Sequence, residues 1–400
     1  RPGARPRAMS RLPAALLALC LAGATPGFAV DVPGITGTAE PFLTAADTRN
    51  LLPEEKRLWD QAYEFDDLMR RSGFVLKDDA FAAYMQGIAD RLYPDLKGTV
   101  RLRLVKSPFL NAFALPNGSV YVNQGIAARF ENEAQLATVM AHEIAHFALR
   151  HGYRGQETAK NSSLLRTLLS LIRIPIPGNL VDIVYASSVF GYSRSLESEA
   201  DDYGYKKVVA AGYAAAETPK VFEHLIREVK TADIREPFFF STHPKLEDRV
   251  NNYKQLSQGS PPGGEILQQV YEDHVMGLRI SNLENELSMG RARHVLLALC
   301  NEAELADYPP SVHYYLGEAY RQRGGQLDEV AAEEEYLSAI RQAPEFAPSY
   351  RALGALYYKE GAWGEAARYL SEYLARAPRA PDRGYVEGYL RTAQEKARAP

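Results

Sequence analysis

The strongest constraint on this chain is the sequence H-E-I-A-H at residues 142–146, which lies in a stretch with the apolar spacing of an α-helix. Each helical residue turns by about 100°, so His142 and His146 project from nearly the same face and can bind one metal ion. Their spacing suits one tetrahedral Zn²⁺ ion per chain. Glu143 then has the position of a general base that takes a proton from water and passes it to a leaving amine. The motif therefore predicts zinc-dependent hydrolysis.

The helix around this motif is predicted to begin at Asn132, with Gln135 as its capping-box partner, and to end near Gly152, where glycine suits a left-handed cap. On one continuous helix His151 points roughly 140° away from His146. We therefore expect a solvated histidine at the helix end, and not a third ligand. The metzincin class needs a glycine at 149 and a histidine at 152, and it is excluded.

A glutamate from a second helix is the remaining common third ligand. The stretch E-S-E-A-D at residues 197–201 is compatible with a helix and offers two glutamates. Spacing alone does not choose between Glu197 and Glu199. Because Glu197 and Asp201 lie four residues apart on one helix face, one of them can bind the metal while the other orients a ligand histidine.

The first thirty residues are typical of an export signal. Arginines precede an apolar run at 12–24, and G-F-A at 27–29 resembles a small-x-small cleavage site, so residues 1–29 are predicted to be a cleaved signal peptide. The apolar run is too short to span a bilayer. A lipid anchor at Cys20 is the alternative, which the bulky leucine before it disfavours. After cleavage Cys300 would be the single cysteine, which excludes an internal disulfide.

Composition excludes nucleic acid as a partner and predicts two domains. The 46 basic and 50 acidic residues are interspersed and the formal net charge is -4, so no basic surface is indicated. With 400 residues and 46% hydrophobic content, the chain can bury two cores. The G-S-P-P-G-G stretch at 259–264 is the clearest linker. We therefore expect a first domain at 30–258 and a second at 265–400.

Two alternating strands precede the metal motif. Residues 99–106 alternate apolar side chains with arginines, and a second strand is predicted at 119–123. The apolar run 111–115 reaches this strand through P-N-G at 116–118, a tight-turn signal that predicts an antiparallel hairpin. The first domain is therefore predicted to be α+β and mainly helical, with a small β-hairpin or sheet.

The second domain is predicted to be an all-α solenoid. The element L-G-x-x-Y at 316–320 recurs at 353–357, and Pro344 recurs as Pro378, 34 residues later. This is the signature of tetratricopeptide repeats, which offer a concave face to extended peptides or partner proteins. The alternative is a helical array that only stabilises the fold.

The apolar stretch at 164–190 is interrupted by arginines, prolines and an aspartate, so it does not suit a membrane span. Three interpretations stay open. The stretch forms a lid over the substrate groove, a patch for peripheral contact with a membrane or an apolar substrate, or a buried helical hairpin.

Four motifs occur in the chain in the order N-A-F-A-x-P-x-G (111–118), H-E-x-x-H (142–146), S-R-x-x-E-x-E-A-D (193–201) and S-T-H-P-x-x-x-x-R (241–249). Together they resemble the zinc metallopeptidase family of HtpX heat-shock proteases and CAAX prenyl proteases, over about residues 50–255. These are gluzincins, in which a glutamate is the third zinc ligand. The resemblance implies that Glu197 is this ligand and that Asp201 orients a ligand histidine.

The resemblance also assigns roles outside the metal ligands. It implies that Asn111, Ala112, Phe113 and Ala114 form a substrate-facing edge, to which an extended peptide adds as a strand; the alternative is an ordinary hairpin. It places His243 near the metal, either as a catalytic residue that stabilises the oxyanion or as a fourth zinc ligand that holds the enzyme inactive. A purely structural loop histidine is the third interpretation. Arg194 and Arg249 are expected to make structural ion pairs.

An exported peptidase joined to repeats resembles the BepA-like periplasmic branch of this family. The resemblance implies a zinc endopeptidase that hydrolyses misfolded or stalled outer-membrane proteins, with the outer-membrane assembly machinery as a partner through the repeats. The alternative is a chaperone or adaptor that binds outer-membrane protein precursors through its repeats and keeps a latent protease site.

Overall fold

A computed structural model describes residues 40–76, 80–158, 192–232, 246–299, 305 and 308–398. The described residues belong to one compact unit. They are mainly helical with one three-stranded sheet, as the α+β prediction requires. Among them, no helix has both the length and the apolar character needed to cross a bilayer. The predicted signal peptide, the stretch at 164–190 and His243 lie outside the described residues.

Up to residue 258, the described residues contain three strands and eight α-helices. The strands are β1 (Arg101–Val105), β2 (Ala112–Ala114) and β3 (Ser119–Asn123). The helices are α1 (Pro53–Arg71), α2 (Ala80–Leu92), α3 (Gln124–Ala128), α4 (Glu133–Ala148), α5 (His151–Thr158), α6 (Arg194–Ala210), α7 (Thr218–Ala232) and α8 (Leu246–Gln258).

The sheet has the strand order β1-β3-β2, with β1 parallel to β3 and β2 antiparallel to β3. The predicted hairpin is confirmed, because Ala112 lies opposite Val122 and Ala114 opposite Val120. Its turn requires Gly118, which has φ +81° and would place an added Cβ only 2.9 Å from the Thr99 carbonyl oxygen. In the described part of the chain, β2 is the edge strand beside α4.

Helix α4 is the central element of the core, and all of its residues are buried. It starts where predicted, because the Asn132 side chain accepts a hydrogen bond from the Gln135 N–H at 3.1 Å. The Gln135 side chain accepts from the N–H of Glu131, one residue before the cap.

The predicted end of α4 near Gly152 is wrong. The helix stops at Ala148 because Arg150 adopts a left-handed conformation with φ 59°. The Arg150 guanidinium is buried, donates to both carboxylate oxygens of Glu55 and reaches the carbonyl of Glu40 at 2.9 Å. These contacts come from the N-terminal part of the fold, so they hold a backbone conformation that local sequence does not favour. A new helix, α5, begins at the next residue.

The first helix after the predicted linker completes the core of the first part of the chain. This helix, α9 (Gln268–Ser288), buries Tyr271, Val275 and Leu278 in the same core as α4 and the sheet. The Tyr271 hydroxyl donates to the carbonyl of Ala127. Just before α9, the N–H of Glu265 donates to the Gly212 carbonyl at 2.8 Å. The predicted domain boundary at 259–264 stays a prediction. The first half of α9 packs in the core around α4, and its second half packs against the helices that follow it.

The region after α9 is all-α in its described residues, as predicted. Its helices are α10 (Ala292–Ala298), α11 (Val312–Arg323), α12 (Asp328–Gln342), α13 (Ala347–Glu360), α14 (Trp363–Arg376) and α15 (Arg383–Arg398). The repeated glycine of L-G-x-x-Y permits close helix pairing. A Cβ at Gly317 would lie 2.5 Å from the Tyr336 ring on α12, and one at Gly354 would lie 2.8 Å from Leu370 on α14.

The packing of α9 predicts where the chain can be shortened. A chain that ends at residue 264 loses α9, whereas one that ends at residue 290 keeps it. Burial of side chains such as Val275 and Leu278 stabilises the fold by about 1.5–3 kcal/mol each, so the shorter chain should unfold at a clearly lower urea concentration. Circular dichroism during urea titration measures this. Equal midpoints for the two chains would show that α9 does not stabilise the first part of the fold.

Candidate metal centre

The candidate site forms where α6 packs closely on α4. Gly204 on α6 lies against the backbone of α4, and a Cβ built there would come 3.0 Å from Ala141 C and from His142 N. Only a residue without a side chain permits this approach without displacement. Asp201 and Glu197, on the same face of α6 as Gly204, are buried and turned towards the H-E-I-A-H sequence of α4.

Three buried side chains fit one metal ion. His142, His146 and Glu197 are exposed by only 1%, 1% and 5%, and one donor atom from each lies within 4.8 Å of the others. The two Nε2 atoms are 3.0 Å apart and lie 3.4 Å and 3.6 Å from the Glu197 oxygens. Around a tetrahedral Zn²⁺ with bonds of 2.0–2.1 Å, neighbouring donors are separated by roughly 3.3 Å. The three donors therefore match three positions of this geometry.

Asp201 fixes which nitrogen of His142 faces the metal position. Its Oδ1 lies 2.9 Å from His142 Nδ1, and Arg249 donates to both Asp201 oxygens, at 2.6 Å and 3.2 Å. Burial alone would raise the pKa of Asp201, but the Arg249 charge and the hydrogen bond from His142 keep it below its ordinary value. The ionised Asp201 therefore accepts the Nδ1 proton of His142, which leaves Nε2 as a donor to metal. The expected structural ion pair of Arg249 is present.

The electrostatics of the site favour a cation. Burial and the Arg249 charge lower the pKa of His142, but hydrogen bonds to Asp201 and Glu197 outweigh them and raise this pKa to about 9. Two imidazole nitrogens and a carboxylate converge on one point, where a proton or a metal ion reduces the repulsion between their lone pairs. A metal cation at this point satisfies all three groups.

The prediction that His151 is a solvated helix-end histidine is wrong. The left-handed Arg150 ends α4 and turns the chain back, so His151 is fully buried with 0% exposure. Its Nδ1 lies 2.9 Å from Nδ1 of His146, and its Nε2 lies 3.3 Å from Glu199. Burial lowers the pKa of His151 to about 4, in spite of the nearby Glu199. The residue is a neutral neighbour of a candidate ligand.

The structure gives different environments to Glu197 and Glu199, the two candidates for the third metal ligand between which sequence spacing could not choose. Glu197 lies at the donor cluster, whereas Glu199 pairs with Arg154 at 2.9 Å and with His151. The Glu199 side chain is also 41% exposed, which does not suit a buried metal ligand.

Glu143 and Tyr192 complete the described part of the site. Glu143 is 1% exposed and follows His142 directly in α4. The Tyr192 ring stacks on the His146 ring, with centroids 3.9 Å apart and planes at 12°. Burial and the charges of Glu143 and Glu197 raise the pKa of Tyr192 above its ordinary value. Sequence reasoning missed Tyr192, whose one signal is its position directly before the S-R-x-x-E motif.

The predicted substrate edge lies next to the donor cluster. Ala114 lines a narrow cleft together with His146 and Tyr192. Phe113 points away from this cleft and stacks on Tyr121 at 4.8 Å in the core, so a peptide here would meet the backbone of β2 and not the Phe113 ring. Asn111 and Ala112 are buried beside it, with exposures of 1% and 0%. No described contact tests the role predicted for His243.

Comparisons with known proteins agree with this chemistry. Residues 78–257 match the model of peptidase family M48. The chain is 30% identical over 265 residues to a Vibrio cholerae protein named as a beta-barrel assembly-enhancing protease, an alignment that covers 62% of this chain and 52% of the relative.

Two further relatives are named as metal-dependent peptidases. The mitochondrial metalloendopeptidase OMA1 of Arabidopsis thaliana is 32% identical over 146 residues, which are 36% of this chain and 29% of the relative. The metalloprotease LoiP of Escherichia coli is 26% identical over 208 residues, 50% of this chain and 79% of the relative. The alignments thus span 52% of the length of the Vibrio cholerae relative and 29% of the length of the Arabidopsis thaliana relative.

The close approach of α6 to α4 predicts the effect of Gly204→Ala. The added Cβ should push α6 away by a few tenths of an ångström, weaken Zn²⁺ binding and destabilise the fold by about 1–3 kcal/mol. Gly277→Ala is the matched control, because nothing lies within 4 Å of a Cβ at this position in α9; it should stabilise by about 0.5–1 kcal/mol. Thermal unfolding and chelator competition measure both quantities. Parent-like stability and affinity in Gly204→Ala would contradict the packing argument.

Proposed function

Because residues 78–257 of this chain belong to peptidase family M48, we propose that the protein is a zinc-dependent endopeptidase. The observation that carries the proposal is the buried cluster of His142, His146 and Glu197, with Glu143 on the same helix as the two histidines. The donor distances suit a tetrahedral ion, and a carboxylate beside such a site is the arrangement that peptide hydrolysis requires.

In this proposal the two histidines would hold Zn²⁺ through Nε2, and Glu197 would hold it through a carboxylate oxygen. The chemistry supplied by zinc in such a site would be Lewis acidity, towards the scissile carbonyl and towards water, which becomes a stronger acid at neutral pH. Asp201 holds the Nδ1 proton of His142 and so keeps that ring in the ligand tautomer. Arg249 keeps Asp201 ionised and immobile by donating to both of its oxygens.

Glu143 moves the proton. As an ionised carboxylate it takes a proton from the attacking water, and it then gives this proton to the nitrogen of the leaving amine. The side chain is buried, so little bulk water competes for its proton. The Tyr192 ring, stacked on His146, closes one side of the site. His243, outside the described residues, keeps its two proposed roles: oxyanion stabiliser, or zinc ligand of an inactive state.

We further propose that substrates bind in extended form along β2. This strand lies at the edge of the described sheet, and its residue Ala114 lines the cleft that contains His146. A peptide added there would form backbone hydrogen bonds with the segment from Asn111 to Ala114, a mode that depends little on side-chain sequence. An unfolded segment has its backbone groups available for such pairing, whereas most of those in a folded protein are already paired. The site therefore favours unfolded or stalled proteins.

The clients proposed for this peptidase are misfolded or stalled outer-membrane β-barrel proteins in the periplasm. Support comes from relatives that are named as beta-barrel assembly-enhancing proteases in Vibrio cholerae and Escherichia coli. The paired helices from α11 to α14, with their repeated close-packing glycines, support a tetratricopeptide region. We propose that this region binds clients or the outer-membrane assembly machinery.

Glu143→Gln tests the proposed chemistry. The amide cannot accept the proton, so cleavage of casein and of an unfolded outer-membrane β-barrel polypeptide should fall by at least about 10²-fold. Zinc content, measured by atomic emission, should stay at one ion per chain because Glu143 is not a ligand in this account. Glu54→Gln makes the same chemical change on the exposed face of α1 and should leave the rate unchanged.

Parent-like cleavage by Glu143→Gln would end the proposal of a zinc endopeptidase. If the variant loses cleavage but still binds the β-barrel polypeptide, client binding and hydrolysis are separate activities of the protein.

A further inference from the structure

His151 occupies a position that the catalytic account does not use. It is fully buried, and its imidazole contacts a candidate zinc ligand through nitrogen, with 2.9 Å between His151 Nδ1 and His146 Nδ1. Sequence spacing on a continuous helix would direct it away from the site. The contact exists because the chain reverses between α4 and α5.

The reversal is held by a specific set of contacts. Arg150 has φ 59°, a conformation that is unfavourable for a residue with a Cβ atom. Its guanidinium donates to both oxygens of Glu55 and to the carbonyl of Glu40, and Glu55 is 2% exposed. An ion pair between groups so deeply buried keeps the turn in place.

The Nδ1 atoms of His146 and His151 are 2.9 Å apart, a hydrogen-bond distance, so one of them carries the proton and the other accepts it with its lone pair. The Nε2 atom of His146 faces Nε2 of His142 and the Glu197 carboxylate, so it is the nitrogen that meets the metal. A neutral imidazole that uses Nε2 as a lone-pair donor carries its proton on Nδ1. The Nδ1 of His146 therefore donates, and the Nδ1 of His151 accepts.

We propose that His151 is a positioning residue for the metal centre, which fixes the tautomer and ring orientation of His146 by accepting its Nδ1 proton. This inference rests on the zinc site proposed above. With its proton on Nε2, His151 donates in turn to Glu199 at 3.3 Å, and Arg154 holds Glu199 at 2.9 Å.

The site thus gives each ligand histidine its own acceptor. Asp201, an ionised carboxylate, serves His142, and His151, a neutral imidazole, serves His146. Tyr192 stacks on the face of the His146 ring, while His151 contacts its edge. Together they restrict the His146 ring to one plane and one rotation, as a rigid ligand requires.

Three variants of the full chain test this assignment. His151→Phe keeps a ring of similar size but cannot accept a hydrogen bond, whereas His151→Gln keeps an oxygen acceptor. Chelator competition should show about 10–100-fold weaker Zn²⁺ binding for His151→Phe, the usual effect of losing a partner of a ligand histidine, with partial recovery in His151→Gln. His274→Phe, on the exposed face of α9, is the control and should bind like the parent.

Glu199→Gln tests the same hydrogen-bond chain if the His151 variants do not fold. The Glu199 side chain is 41% exposed, so its substitution should leave the fold intact and weaken Zn²⁺ binding in the same direction by a smaller factor. In the zinc-loaded parent, ¹⁵N NMR should show His146 with a protonated Nδ1 and a metal-bound Nε2, and His151 with a protonated Nε2.

The positioning role would be overturned if a folded His151→Phe variant and the Glu199→Gln variant both bound Zn²⁺ as tightly as the parent. Zinc binding by the parent would leave the proposed function intact in that case. A proton on Nδ1 of His151 in the zinc-loaded parent would overturn the positioning role as well. Failure of the parent to bind Zn²⁺ would instead remove the metal site itself, and with it both proposals.

Discussion

The site depends on the contact between the backbone of α4 and Gly204 of α6. A Cβ at this position would come within 3.0 Å of Ala141 C and His142 N, where the H-E-I-A-H sequence begins, so α6 would have to move away. Because Gly204, Asp201 and Glu197 lie on one face of α6, the same contact delivers two carboxylates to the histidines. One contact between helices thus sets the distances from which the fit to a tetrahedral metal is inferred.

Because the site is buried, its side chains are held rigidly and each buried charge needs a partner. Several ionisable groups of the site have almost no exposure to water, and an unpaired charge there would be strongly unfavourable. Two buried charges near the site accordingly have close partners: Asp201 has Arg249, and Arg150 has Glu55. The pairs also have a geometrical role, since one orients His142 and the other holds the turn that brings His151 to His146. Ion pairs of this kind position groups more reliably than they stabilise a fold.

The sequence predicted the parts of the fold that follow from local patterns. The start of α4 at Asn132, the hairpin across 116–118 and the helical region beyond 265 all depend on residues close together in the chain. The left-handed Arg150 could not be predicted in this way, because its partner Glu55 lies 95 residues away. The error at Arg150 then led to the wrong environment for His151, since a continuous helix was assumed.

Two further features needed tertiary information. Spacing offered Glu197 and Glu199 equally, and only the rotation of α6 against α4 places Glu197 at the histidines and Glu199 at Arg154. The domain boundary predicted at 259–264 stays a prediction, but local composition did not indicate that Tyr271 of α9, 7 residues beyond this stretch, packs in the same core as α4. Local composition indicates which segments are exposed to solvent, but it does not indicate which helix packs over a given core.

X-ray absorption spectroscopy of the zinc-loaded protein tests the central claim most directly, because it identifies the donor atoms that α4 and α6 contribute. The account predicts one Zn²⁺ per chain with two imidazole nitrogens, or three in an inactive state that His243 ligates, together with oxygen at about 2.0–2.2 Å and no sulfur. It also predicts that Glu197→Ala removes one oxygen ligand or the ion itself, while Glu199→Ala leaves the two imidazoles and the oxygen shell in place. A spectrum with one imidazole or with sulfur, or an unchanged spectrum after Glu197→Ala, would contradict it.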